Sequence, residues 1–370
     1  MVRILTVGDP HFKPSNRRES TDLVNEVLRV IREETPDFTV LLGDILDRHE
    51  TCHVDANLRA CQFILQVSIL TPVYVLIGNH DRPNNSDFLS DRHFFSALKY
   101  VPNITIVDRV VHLDHEASGH QFLFVPYVPN GRFADALATS LFGSISEISV
   151  IFAHQEFRTC TLNKLTPDVT SQDGDVWAPT APFIVSGHIH DHQFLQGNIL
   201  YPGTPMQHRF TDQADDKTIS LLDLPALEDR ALEDRALEDR ALEDRAAKDR
   251  GAFIRAYLTE TRLPLQIRRK VLVTLTVDQV DSYTPDLAND LKVNIQGCRA
   301  DLLAVRNHPK IRDWVHAGVK IGYKELLTGE EQAKLNQQPF RYQAFPSLLL
   351  QKVKKNSHAK RAYDRLFPAS

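Results

Sequence analysis

Val2-Arg3-Ile4-Leu5-Thr6-Val7-Gly8-Asp9-Pro10-His11 is a short apolar run that breaks at a glycine and delivers two polar side chains. Phe38-Thr39-Val40-Leu41-Leu42-Gly43-Asp44 has the same form, and Val73-Tyr74-Val75-Leu76-Ile77-Gly78-Asn79-His80-Asp81 has it again. Apolar runs of this length, rich in β-branched residues and closed by a turn, are expected to be strands. Further strands are expected at 122–125, 148–153 and 183–186. Between the first two runs, Leu23, Val24, Val27, Leu28 and Ile31 recur at helical spacing and should bury one face of a helix against a sheet. Strands alternating with helices over residues 1–224 are α/β grammar.

The strand ends carry the chemistry. Gly8-Asp9-Pro10-His11, Gly43-Asp44, Gly78-Asn79-His80-Asp81, Ala153-His154 and Gly187-His188-Ile189-His190 all follow an apolar run. Ligands placed at the carboxyl ends of sheet strands gather along one edge, where open α/β sheets bind substrates. Carboxylate, amide and imidazole donors without thiolate suit manganese, iron, zinc or magnesium, and the imidazoles argue against an all-magnesium site. Seven such donors, Asp9, His11, Asp44, Asn79, His154, His188 and His190, suffice for two ions sharing one carboxylate. Two ions about 3.5–4 Å apart clamp the attacking and leaving oxygens of a phosphoryl centre, so hydrolysis of a phosphate ester is the expected reaction. His49, His53, His192 and His208 lie near these motifs without occupying a ligand position, and are expected at the surface or behind the ligands.

The bulk properties narrow the setting. A chain of 370 residues suits one large domain with one or two smaller ones. With 42% hydrophobic and 25% charged residues it has ordinary globular composition, and no apolar run reaches the ~18 residues of a membrane span. The apolar start is too short for a signal sequence and reads as a strand. Cys52, Cys61, Cys160 and Cys298 are widely spaced, which points to a reducing, intracellular compartment, cytoplasmic or nuclear. A formal net charge of −5 argues against a protein that grips nucleic acid through a global positive field, so any phosphate binding must be local.

From Ala226 the chain reads Ala-Leu-Glu-Asp-Arg four times and then Ala246-Ala247-Lys248-Asp249-Arg250. A period of five advances about 140° per copy on an α-helix, so Leu227, Leu232, Leu237 and Leu242 spiral and build no apolar face. The repeat, 225–250, therefore reads as a solvated spacer. Beyond it, 271–277 and 291–295 alternate as half-buried strands, and the basic, leucine-bearing segment 339–370 suggests amphipathic helices.

In order and composition the five motifs resemble the signature of the calcineurin-like metallophosphoesterases. The resemblance implies a four-layer α/β fold, a β-sandwich flanked by helices. It places one metal on Asp9, His11, Asp44 and His190 and the other on Asp44, Asn79, His154 and His188, with Asp44 bridging and a metal-bridging hydroxide as nucleophile. His80 would protonate the leaving oxygen, with Asp81 orienting its ring. Some family members carry a phosphate-contacting His where this chain has Asp47. Asp47-Arg48 also resembles protein phosphatases, which continue with Gly in place of His49, so Arg48 and His49 are candidate phosphate contacts.

Within the superfamily the chain looks most like the SbcD-type DNA double-strand-break repair nucleases. Gln155 follows His154 as in that branch, and Tyr201-Pro202-Gly203-Thr204-Pro205-Met206-Gln207 with 217–224 is similar to its Gly-Ser-Pro segment and closing strand. Residues 293–322 are similar to the strand–helix unit of its DNA-capping domain. That likeness implies a small α+β capping domain over 251–338 and C-terminal helices over 339–370 that dock an SbcC-type ABC ATPase. It also implies a manganese-dependent exo- or endonuclease, a homodimer and DNA as substrate. Such a chain with an expanded repeat suits a phage or large DNA virus, acting inside the infected cell. Two alternatives use the same residues: a phosphomonoesterase or protein phosphatase, and a catalytically silent DNA- or ATPase-binding scaffold.

Overall fold

The structure is a computed structural model. It describes residues 1–140, 142–162, 169–214, 217–227 and 250–326. The pentapeptide repeat from Glu228 onward and the basic segment 339–370, including its expected docking role, lie outside the described residues. The chain divides into two compact units, Met1–Leu272 with Asp286–Lys292, and Val273–Pro285 with Val293–Ser370.

The first unit begins β1 (Val2–Val7), α1 (Arg17–Glu34), β2 (Phe38–Leu41), α2 (Val54–Leu70), β3 (Val73–Leu76), β4 (Ile104–Val107). It continues β5 (Val111–His115), β6 (His120–Val125), α3 (Phe133–Leu137), β7 (Ile148–His154), β8 (Phe183–Gly187), β9 (Gln193–Leu195) and β10 (Ile199–Tyr201). It closes with β11 (Thr218–Leu224), α4 (Arg250–Tyr257) and β12 (Thr259–Pro264). Among the described residues these strands form two six-stranded sheets, ordered β12-β11-β1-β2-β3-β4 and β5-β6-β7-β8-β10-β9. β1 to β4 run parallel, as do β6, β7 and β8.

Alternation assigns each side chain to a layer. Val2, Ile4, Phe38 and Val40 from the first sheet meet Phe122, Phe124, Val150 and Phe152 from the second. Leu5 and Val7 point the other way, onto Leu23, Val27 and Ile31 of α1 and Phe63 and Ile64 of α2. Ile151 and Ala153 leave the far face of the second sheet against Phe133 and Leu137 of α3. Every central strand is therefore buried on both faces, which is why these runs are apolar throughout and do not alternate in sequence. The expected helix–sheet–sheet–helix order is the order found. The apolar stripe read between the first two strands is the buried face of α1: Leu23, Val27, Leu28 and Ile31 are all buried, and Val24 packs against the same core.

The boundary expected between residues 224 and 251 falls elsewhere. β12 pairs antiparallel with β11, Thr218 opposite Pro264 and Asp223 opposite Thr259, and the first unit extends to Leu272. The reason lies in the backbone: β11 lies outside β1, and without β12 its outer row of N–H and C=O groups would be left unpaired.

Most of a third sheet, β13 (Lys270–Thr276), β14 (Asp290–Gly297), β15 (Lys320–Glu325), with β14 central, belongs to the second unit. Two helices, α5 (Arg299–Val305) and α6 (Pro309–His316), lie between β14 and β15 in the chain. Val293 and Ile295 of β14, Leu302 and Val305 of α5, and Ile311 and Trp314 of α6 are among its buried residues, and Trp314 meets Tyr283 edge-on at 5.6 Å. No helix among the described residues is long and apolar enough to cross a membrane.

Candidate metal centre

The motif residues lie where the parallel strands end: Asp9 and His11 past β1, Asp44 past β2, Asn79 and His80 past β3, His154 at the end of β7, His188 and His190 past β8. At this edge the backbone is forced into unusual conformations. Asp9 (φ 25°), His11 (46°), Asp44 (47°) and His188 (78°) all occupy the left-handed region. Non-glycine residues held there cost of order 1–3 kcal/mol each and cluster at functional sites, where the surrounding structure dictates them. Gly43 (φ 100°) makes the turn into Asp44, and a β-carbon there would lie 2.5 Å from His154 Nδ1. Glycine is needed both for the angle and for the approach of the imidazole.

Four donor atoms converge on one point. His154 Nε2 lies 3.1 Å from Asn79 Oδ1, 3.4 Å from Asp44 Oδ1 and 3.3 Å from His188 Nδ1, and His188 Nδ1 lies 3.1 Å from Asn79 Oδ1. Beside this group, His11 Nε2 faces His190 Nε2 at 3.1 Å and Asp44 Oδ2 at 3.9 Å. Asp44 thus presents one oxygen to each cluster. His80 Nε2 is also 3.9 Å from Asp44 Oδ2, and His11, Asp44 and His80 offer atoms close enough together to hold an ion, as do Asp44, His154 and His188. Asp9 is fully buried, its carboxylate accepting from the His188 backbone N–H (3.0 and 3.2 Å) with Oδ1 3.6 Å from His154 Nδ1.

The imidazoles are aimed by their second nitrogens. His154 Nδ1 donates to the Leu42 carbonyl (2.7 Å) and His11 Nδ1 to that of Leu46 (3.2 Å), which leaves both Nε2 lone pairs facing the centre. His188 turns its Nε2 toward Glu156 (3.6 Å) and stacks on Tyr127 at 6.0 Å. Outer hydrogen bonds such as those of His154 and His11 fix the tautomer of a metal-ligating histidine. Glu156 escaped the sequence reading because only its place two residues past His154 marks it.

The electrostatics show what the donor set lacks. Burial pushes the Asp9 carboxyl up to about 8, with the Asp44 charge adding and His154 opposing. Burial likewise raises Asp81 to about 6, again with Asp44 adding. Burial also works against ionised Asp44, but His154, His11 and His80 hold it well below the usual carboxylate range. Burial opposes a charge on His154 too, and Asp44 and Asp9 still raise it to about 9. Asp9, buried and raised further by the Asp44 charge beside it, is short of positive charge, which is what a divalent cation supplies. The residues present fit a dimetal centre, Asp44 being shared.

One assignment needs correction. Asp81 does not touch the His80 ring: its carboxylate accepts from the backbone N–H groups of Ile45 (3.3 Å), Leu46 (2.9 Å) and Gly78 (3.0 Å). His80 Nδ1 instead donates to the Asp47 carbonyl (2.7 Å). Asp81 is buried where three amides point at it, bracing the 44–46 and 78–80 turns and making no contact with the ring. Of the phosphate-contact candidates, Arg48 is exposed, and His49 stacks on His80 with ring centres 4.5 Å apart. His192 binds Glu260 of β12 (3.0 Å), so the strand beyond the repeat reaches the loop that carries His188 and His190.

A sandwich of two sheets with a carboxylate shared between two histidine clusters at one strand edge defines a metallophosphoesterase. The chain belongs to the calcineurin-like phosphoesterase family, whose model matches residues 2–192. It is similar to "Putative phosphoesterase 078R" of Invertebrate iridescent virus 3, 44% identical over 222 residues, 60% of this chain and 62% of that protein. It is also similar to "Putative phosphoesterase 244L" of Invertebrate iridescent virus 6, 39% identical over 220 residues, 60% of this chain and 76% of that protein. The match to the first of these spans less than two thirds of its length. Among solved structures, Yfce, a phosphoesterase from E. coli, aligns at 14% identity over 60% of this chain and 88% of that one, with a TM-score of 0.28.

Proposed function

We propose that this phosphoesterase cleaves phosphodiester bonds in DNA, with divalent cations, manganese foremost, held by Asp9, His11, Asp44 and His190 on one side and Asp44, Asn79, His154 and His188 on the other. The observation that carries the hydrolytic part is the convergence of Asp44, Asn79, His154 and His188 within 3.1–3.4 Å beside the His11–His190 pair. When bound, the cations polarise the phosphoryl oxygens and lower the pKa of water.

The chain's own residues do the rest. Asp44 and Asn79 would hold the cations in place, and the phosphate would approach from the side of His80. His80, anchored through Nδ1 to Asp47 and half-exposed, presents Nε2 above Asp44 and from there hands a proton to the leaving oxygen as water oxygen bonds to phosphorus and the ester P–O bond breaks. Stacked on His80, His49 limits the ring to that orientation. DNA is favoured among phosphodiesters by Gln155 after His154, by the 201–224 segment and by the strand–helix unit of 293–322. The same reading pairs the chain with an SbcC-type ABC ATPase through 339–370 and with a second copy of itself.

One observation favours a second reading. A cleft of about 300 Å³ beside His188 and His190 is lined by Glu156, Asp191 and Asp212 against a single cation, Arg209. Three carboxylates there repel an extended polyanion, and a cleft of this size admits a single compact phosphate ester. The deciding experiment is one assay with manganese on linear duplex DNA, single-stranded DNA, a phosphopeptide and a cyclic nucleotide, run with wild type and His80→Ala. The proposal expects DNA hydrolysis lost in the variant, which retains its metal. Turnover confined to the phosphopeptide would refute the DNA assignment, and undiminished turnover by His80→Ala would refute the acid.

A further inference from the structure

His208 carries no motif signature, yet it lies against the first metal cluster. The backbone N–H groups of His208 and Arg209 both donate to Asp212 Oδ2 (2.8 and 2.9 Å), a tight turn that commits the imidazole inward. Its Nε2 lies 3.0 Å from the backbone carbonyl oxygen of Asp9. A carbonyl only accepts, so Nε2 bears the hydrogen. Nδ1 is enclosed and has no hydrogen-bond partner among the described residues. A second proton there would be a buried donor without an acceptor, so the ring is neutral. The ring meets His11 edge-on, centres 4.9 Å apart at 86°, and His190 at 5.4 Å and 60°.

Asp9 needs such a partner. Its left-handed φ of 25° is intrinsically unfavourable and persists only where other contacts impose it. The His188 N–H anchors the carboxylate on one side. His208 supplies the contact on the opposite end of the residue, and its ring walls in the two imidazoles whose Nε2 atoms face each other at 3.1 Å.

We infer that His208 is a positioning residue for the first cation: its Nε2–H holds the Asp9 peptide in the strained turn, and its ring keeps His11 and His190 aimed at a common point. The inference rests on the dimetal reading above. Loss of an outer hydrogen bond of this kind typically weakens metal affinity 10- to 100-fold.

The test is calorimetric titration of manganese into the metal-free full chain, comparing wild type with His208→Leu, which keeps apolar bulk without the donor, and His208→Gln, whose amide reaches with the same donor. Wild type should bind two ions. His208→Leu should bind one of them at least 10-fold more weakly, and His208→Gln should stay within about threefold of wild type. Wild-type binding of both ions by His208→Leu, or a His208→Gln defect as large as that of His208→Leu, would overturn the role while leaving the dimetal reading standing. Failure of wild type itself to bind manganese would overturn both. Should His208→Leu not fold, judged by circular dichroism, His208→Asn takes its place, polar but too short to reach Asp9, with the same expected loss.

Discussion

Replacing Gly43 by alanine tests whether the metal edge is shaped by backbone geometry as described. The new β-carbon would lie 2.5 Å from His154 Nδ1 and 2.9 Å from its Cγ, inside any permissible contact, and the residue would have to hold φ at +100°. The conformation alone costs about 1–3 kcal/mol. His154 is fully buried and cannot swing into solvent, so relief of the clash breaks its 2.7 Å bond to the Leu42 carbonyl, a further ~1–1.5 kcal/mol. Together these come to about 2–4.5 kcal/mol, or a fall in melting temperature of about 4–18 °C at 2–4 °C per kcal/mol for a unit of this size. Displacement of His154 Nε2 also spoils the four-atom cluster, so the second cation should bind at least ~10-fold more weakly. Gly131→Ala is the control: its φ is +82° but nothing lies within 4 Å of the added carbon, so only the conformational cost remains. Thermal unfolding with and without manganese, and calorimetric stoichiometry, report both effects. A Gly43→Ala protein that melts with the control and still binds two cations at wild-type affinity would refute the reasoning.

Two further expectations follow from the same electrostatics. Burial works against ionised Asp108, but His93, Lys99 and Arg109 hold its carboxyl below the usual range. A depressed folded-state pKa stabilises above the unfolded value of about 3.9 and is lost as pH falls below it, so Asp108→Asn should cost ~1–3 kcal/mol in urea unfolding at pH 7 and progressively less below about pH 4. An undiminished difference at pH 3 would count against this ion cluster. Cations binding the folded state alone should stabilise it by about 2.7 kcal/mol per site at a hundredfold excess over Kd. Scanning calorimetry should therefore show manganese raising the melting temperature and chelator reversing the rise, and a midpoint indifferent to both would contradict the charge deficit at Asp9.

How much of this was legible in the sequence depends on the range of the interactions. Asp9, Asp44, Asn79, His154 and His188 each stand at the end of an apolar run, and strand polarity alone brings such residues to one edge. Position relative to a local turn was enough to place them at that edge. The partner of His80 was not local in that sense. Adjacency suggested Asp81, but the turn past β3 points that carboxylate back at the amides of Ile45, Leu46 and Gly78, and the carbonyl of Asp47 takes its place. The end of the first unit was misplaced for a related reason. Thr259 to Pro264 has an unremarkable pattern, and it is a strand because β11 offers it an unpaired edge.

The α/β class was legible in the chain alone, since it follows from periodicity, and so was the gathering of the candidate donors at strand ends, since each stands just past its own apolar run. Tertiary structure alone decided what stands behind those donors: Glu156 facing His188, Glu260 holding His192, and His208 bracing Asp9. Asp9 and His208 are brought together by two loops from distant parts of the chain. Hydrogen bonds between such loops depend on how two sheets stack, and no periodicity along the chain encodes that.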